Sequence, residues 1–418
     1  MRIPTNMMIV TTCIMSLLSP AVPATVAPEI ANPGEAVEVP ATKLVKSDLF
    51  ADTAYQLDPT ATIYRARAFY ELTGPTGKEV VVSTRQLLAR LDEINAVATL
   101  EKMEKTSVYV DAVKKAGMAP VDLAKNLVSE PVDTVSRIGR GVGGFFSDIG
   151  YAIAGDDPDQ ENVAKTAVGF GAAKRAFAYE LGVNPYSDFQ PLQEAIGEIA
   201  WTAVGGSFSV SMGFRAVGGT PSTALSLSKT ANGMRKLVRD KSPREIRKIN
   251  EDKLAAMGVG ASLSEAFLSN HDFDPETETR LVGALDSMGK VAGRERFIKR
   301  AALVNTPADA RMMRDWAELM AAYHEQIQKI TEISVVSSAP LAVTEDRVTH
   351  IIYPADYLTP SPGFQDRMQA IMADIKRREL TPGQVWVTGE ADPKAVKLLQ
   401  EVGWKEVRSR VDDKLYAR

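Results

Sequence analysis

Three times between residues 242 and 309 the chain repeats one local pattern: a capping residue, a proline, then an acid in the first turn. Ser242-Pro243-Arg244-Glu245 is a complete capping box, and Asp274-Pro275-Glu276 and Thr306-Pro307-Ala308-Asp309 are variants of it. Each supplies acceptors to amides that a helix start leaves bare, and its proline cannot sit inside a helix or a central strand. Three helix starts are therefore set locally, and Gly182, Gly258 and Gly289 stand where helices stop. The third start opens a long helix with Met313, Trp316, Met320, Tyr323, Ile327 and Ile330 as its apolar stripe. The central body is expected to be mainly α-helical.

Both flanks depart from this rhythm. Tyr64, Ala66, Ala68, Tyr70 and Leu72 alternate with Arg65, Arg67 and Glu71, a period of two that predicts a half-buried strand. Gly74-Pro75-Thr76-Gly77 reads as a turn and Lys78–Val82 as the returning strand of a β-hairpin, after which Ser83 caps a helix. Beyond about Ile333 the order is strand Val348–Tyr353, helix Phe364–Arg377, strand Val385–Thr388, helix Asp392–Val402 and strand Trp404–Arg408. Such β-α-β-α-β alternation predicts partly parallel strands. The expected class is α+β: a mainly α-helical body with an N-terminal β-hairpin and a small C-terminal α/β domain.

The first 24 residues read differently. Arg2 precedes the uncharged apolar run Met7–Leu18, and Ser19–Ala24 (SPAVPA) breaks it with small residues suited to cleavage after Ala24. That order predicts a secretory signal, and the run is too short for a membrane span. The expected divisions are therefore residues 1–24 a signal peptide, 25–60 an extended linker segment, 61–332 the hairpin with the helical domain, and 333–418 the α/β domain. Cys13 is the only cysteine, so a chain processed after Ala24 has none, which excludes disulfides, thiol catalysis and cysteine–metal sites. With 45% hydrophobic and 24% charged residues the remainder can bury a core, and a net charge of -4 implies no general attraction to polyanions.

Gly139–Asp157 (GRGVGGFFSDIGYAIAGDD) contains G-x-G-x-x-G, yet a helix-like polar segment precedes it and the run that follows, Phe145–Ile149, is only five residues long before Gly150. A dinucleotide turn needs a strand before it and a full helix after it, so this match is read as close packing of glycines. Arg140 and Asp148 also keep the stretch from spanning a bilayer, leaving peripheral insertion as the alternative.

Motifs for chemistry are absent or broken. His324-Glu325 begins a zinc signature, but Gln328 stands where its second histidine belongs. The alternating acids from Asp272 to Glu278 fail as a calcium loop because Thr277 occupies the sixth position; they read as a capped helix start. Asp356, Thr388, Gly389 and Glu390 fall beyond the carboxyl ends of the C-terminal strands, where α/β domains bind ligands, and read first as loop polarity and capping. Lys229–Lys248 carries eight bases against Asp240 and Glu245, a patch that could meet lipid phosphates.

No catalytic, cofactor-binding or metal-binding residue is assigned, and no cofactor is expected. The reading is an exported, soluble cell-envelope protein, periplasmic or secreted, acting as a binding or scaffold protein toward an unspecified protein or envelope component. One alternative is a peripheral membrane protein that meets anionic lipid through residues 229–248 and the glycine-rich apolar segments. The other is a carboxylate-based envelope hydrolase. No nucleic-acid partner and no transmembrane span are expected.

Overall fold

The computed structural model describes residues 35–52, 54–116, 158–204, 208–218 and 229–411. The expected signal peptide and the glycine-rich stretch 139–157 lie outside them. The fold is α+β, with an N-terminal antiparallel sheet, a helical body and a C-terminal α/β region.

The N-terminal sheet has four strands in the order β1 (Val37–Pro40), β2 (Gln56–Tyr64), β3 (Arg67–Gly74) and β4 (Gly77–Val82). The turn Gly74–Gly77 joins β3 to β4 as its sequence indicates, with Gly74 paired to Gly77. Two features were not legible. Val37–Pro40, in a stretch without a strand period, pairs with Thr60–Ile63 and buries Val39. The single strand expected over Tyr64–Leu72 is broken by a two-residue turn at Arg65 and Ala66, both with positive φ (51° and 63°). Neither is the Asn or Gly that such a turn favours, so alternation runs through the reversal unmarked. Left-handed backbone at a residue with a Cβ costs about 1–2 kcal/mol, which tertiary contacts must offset.

Those contacts come from the far end of the chain. Its five-stranded sheet has the order β11-β9-β7-β6-β5, using β5 (Ile330–Val336), β6 (Ala339–Thr344), β7 (Val348–Tyr353), β9 (Thr381–Val387) and β11 (Glu406–Arg408). Strands β7, β9 and β11 run parallel, as the helix-containing crossovers demand, while β5, β6 and β7 form an antiparallel meander. A short pair, β8 (Tyr357–Leu358) with β10 (Glu390–Ala391), extends beyond the carboxyl ends. The Ala66 carbonyl accepts from the N–H groups of Asp356 (2.9 Å) and Tyr357 (3.4 Å), and the Arg65 carbonyl from the Tyr353 hydroxyl (3.2 Å). The hairpin tip thus sits on the carboxyl edge of the C-terminal sheet.

Between the sheets lie α1 (Thr84–Glu104), α2 (Ser107–Ala116), α3 (Pro158–Leu181), α4 (Gln190–Val204), α5 (Val210–Ala216), α6 (Lys229–Asp240), α7 (Pro243–Ala256), α8 (Ala261–Leu268), α9 (Pro275–Ser287), α10 (Arg294–Ala301) and α11 (Pro307–Gln326). The three local starts are all observed: Ser242, Asp274 and Thr306 cap α7, α9 and α11 with proline at the first position. One apolar cluster joins the N-terminal sheet to α1 through residues such as Tyr70, Leu87, Leu100, Phe177 and Ile196. A second joins α7–α11 to one face of the C-terminal sheet through Phe297, Met320, Ile333 and Trp386, drawing on both sides of residue 332. The opposite face of that sheet is covered by α12 (Pro362–Arg377) and α13 (Pro393–Glu401), with Ile371, Ile375 and Leu399 buried against it. No helix among the described residues is long and apolar enough to cross a membrane.

Candidate functional site

The structure concentrates its charge in the interior around α9. The sequence Glu276-Thr277-Glu278-Thr279-Arg280 looks like a solvated face, yet all five residues are buried. Arg280 makes this tolerable: its Nε and Nη2 donate to the two carboxylate oxygens of Glu318 on α11 at 2.8 and 3.0 Å, and its Nη1 reaches Glu276 at 3.2 Å. Burial alone would raise the Glu318 carboxyl, but Arg280 and Arg85 outweigh it and bring it down to about 2. Desolvated charges persist only in such bidentate, shared arrangements. Glu278 is the contrary case. It takes one bond from Asn250 at 2.8 Å, and burial pushes its carboxyl up to about 8.

Beside this network lies a cavity of about 190 Å³. Its wall comes from the first turns of α1, the loop from Gly182 to Asp188, residues 271–276 leading into α9, and the start of α11. Three helix N-termini converge there because the capping signals end those helices on one side of the body, which favours negative charge locally. Arg311 holds Asp188 at 3.5 Å, and Arg90 bridges Glu93 and Asp188 at 2.8 Å each. Two carboxyls of the wall respond oppositely. Burial raises Glu93 to about 7 although Arg90 and Ser187 oppose it. Asp188 is crowded by its neighbours, which works against its charge, but 43% of its side chain is exposed and Arg311 with Arg90 holds it below the usual carboxylate range. Asp272 is raised by desolvation and by nearby Asp309.

Of the sequence candidates, the run 271–276 and Arg235 of the basic patch border this cavity; Asp274 caps α9, accepting from the amides of Glu276 and Thr277 at 2.9 and 3.0 Å. His324 accepts from the Ile330 amide at 3.1 Å, and burial with nearby Lys329 lowers its pKa. His350 is buried in β7, where desolvation lowers it to about 4. Among the described residues no group of three or more His, Cys, Asp or Glu side chains could hold a metal ion.

The C-terminal crevice is filled from within. Asp356 accepts from the amides of Ala68 and Thr84, the Thr388 hydroxyl donates to the Ala355 carbonyl at 2.8 Å, and Glu390 pairs with Arg410. The hairpin tip occupies the place where a ligand of an open α/β sheet would lie. The basic run on α6 and α7 is largely neutralised: Arg235 pairs with Glu276, Arg239 with Asp240, Lys241 with Glu245, Arg247 with Glu251 and Glu265, and Lys248 with Asp252. Sequence reasoning missed Arg85, Glu93, Asp188 and Arg311, which stand in three separate segments, α1, the 182–188 loop and α11, with no shared motif to mark them.

Comparison of the chain with protein-family models, with curated proteins and with solved structures gives no match.

Proposed function

We propose that this is an exported binding protein without chemistry of its own, and that its binding site is the cavity walled by α1, the 182–188 loop, α9 and α11. Export rests on the order of charge, apolar run and small residues over Met1–Ala24. The binding reading rests on one observation: a cavity of about 190 Å³, open on one side to solvent, whose charged wall is held in place by a buried ion network. A pre-organised polar pocket lowers the ordering cost of capturing a small solute. Thermal-shift measurement of the full chain against a panel of small anions, cations and zwitterions is the test. A ligand-dependent rise in Tm, lost when Arg311→Gln and Asp188→Asn are combined, is expected. No shift with any member of the panel overturns the binding reading. Fractionation of the native host tests export: recovery from the envelope or medium without Met1–Ala24 is expected, and cytosolic recovery with that segment intact overturns it.

A second reading, a hydrolase using paired carboxylates, is favoured by the opposite shifts of Glu93 and Asp188, since an acid poised near 7 beside an ionised one is the arrangement acid–base catalysis uses. Turnover of a glycan or peptide library that disappears in Glu93→Gln would support it.

A further inference from the structure

The cavity wall is balanced in sign. Five arginines and six acids border it, so neither a pure anion nor a pure cation would be met by a field of one sign. Two of its side chains have bonding capacity to spare. The Asp272 carboxylate forms no hydrogen bond or ion pair among the described residues, although it is partly buried beside Asp309. An ionised carboxylate offers about four acceptor sites, and those of Asp272 are open to a donor entering the cavity. Arg311 is the counterpart. Its one ion pair among the described residues, to Asp188, is long at 3.5 Å, and its side chain keeps 22% exposure. A guanidinium carries five N–H donors, so most remain available for a planar acceptor such as a carboxylate. The remaining charges are committed elsewhere: Arg280 to Glu318 and Glu276, and Asp274 to the start of α9.

From this we infer that the cavity takes a small zwitterion of the amino-acid class, its carboxylate on Arg311 and its ammonium on Asp272. The inference rests on the binding reading above and specifies its ligand. Size agrees: a cavity of about 190 Å³ has room for a free amino acid. Charge agrees as well. Arginines and acids stand on the wall in near-equal number, five to six, so a ligand of zero net charge is not opposed by a field of one sign.

Isothermal titration of the full chain with L-alanine, L-serine and L-glutamate, and with propionate and ethylamine as single-charge probes, tests this. At least one amino acid is expected to bind about tenfold or more tighter than either single-charge probe, the loss of one charge-assisted hydrogen bond being worth about that factor. Asp272→Asn is expected to reduce amino-acid affinity to that of propionate, and Arg311→Gln to that of ethylamine, with both variants shown by circular dichroism to remain folded. Propionate binding as tightly as the amino acids would make the cavity an anion site and overturn the inference. Equal binding of ethylamine would do the same in favour of a cation site. If other solutes of the thermal-shift panel bind and the amino acids do not, the ligand class is wrong while the binding reading stands. If nothing in either set binds, both fall.

Discussion

The carboxylate of Asp356, just past β7, accepts the N–H of Thr84, the first residue of α1, at 2.8 Å across 272 positions of sequence. Its other oxygen accepts the N–H of Ala68 at 2.9 Å. One buried side chain thus caps the start of α1 and holds the start of β3, tying the C-terminal sheet to the N-terminal one. Asp356→Ala would leave two amides without acceptors, at about 1–3 kcal/mol each. Urea unfolding should show a loss of that order, with the C-terminal sheet and α1 losing amide-exchange protection together. A loss below about 0.5 kcal/mol would mean that water replaces the carboxylate.

The Arg280–Glu318 pair predicts a different pattern. Arg280→Met should destabilise by about 3–5 kcal/mol, because it strands buried carboxylates without their counter-ion. Arg280→Met combined with Glu318→Leu should be milder than the two single effects summed. A double-mutant cycle by chemical denaturation measures the coupling, and additive single effects would show that the pair does not act as a unit.

Stability should rise on mild acidification. The Glu278 carboxyl is raised to about 8 in the folded protein from an ordinary 4.5, chiefly by burial. The folded state therefore holds a proton that the unfolded chain releases. Its stabilising effect is complete below about 4.5 and is lost as pH rises through about 8, with a slope of about 1.4 kcal/mol per pH unit between. Glu93, raised to about 7, adds a slope of the same sign. Glu318, lowered to about 2, acts oppositely, stabilising above 4.5 and ceasing to do so as pH falls toward 2. The Tm at pH 5.5 should exceed that at pH 8.5. Glu278→Gln, which preserves the bond from Asn250, should shrink that difference; an unchanged difference would exclude Glu278 as its source.

Two glycines with nearly the same backbone make a controlled comparison. Gly293 has φ 79°, and a Cβ there would lie 2.0 Å from the Ile333 carbonyl oxygen. Gly258 has φ 82° with nothing within 4 Å. Gly258→Ala should cost about 1–2 kcal/mol, the conformational term alone. Gly293→Ala adds a backbone clash where α10 meets β5 and should cost at least about 3 kcal/mol. Equal urea midpoints for the two variants would refute the clash.

The helix starts at Ser242, Asp274 and Thr306 were readable because a cap, a proline and an acid act within one turn, where the chain needs nothing from outside. The same holds for the Gly74–Gly77 turn and for the alternation of strand and helix after Ile333. Where physics is non-local, the sequence misleads. Glu276, Glu278 and Arg280 have the look of a solvated surface, and only the arrival of Glu318 and Asn250 makes their burial tolerable. The reversal at Arg65–Ala66 carries no turn residue because its strain is offset by Asp356, Tyr357 and Tyr353, almost three hundred positions away. The cavity is the extreme case, since no two of Glu93, Asp188, Asp272 and Arg311 share a motif. Local hydrogen bonding and periodicity thus determine from sequence which elements form and where they begin. Which charges are buried, which turn is strained and where a ligand can lie are decided only when distant segments meet, because the energy of a charge or an unpaired amide depends on whatever surrounds it in space.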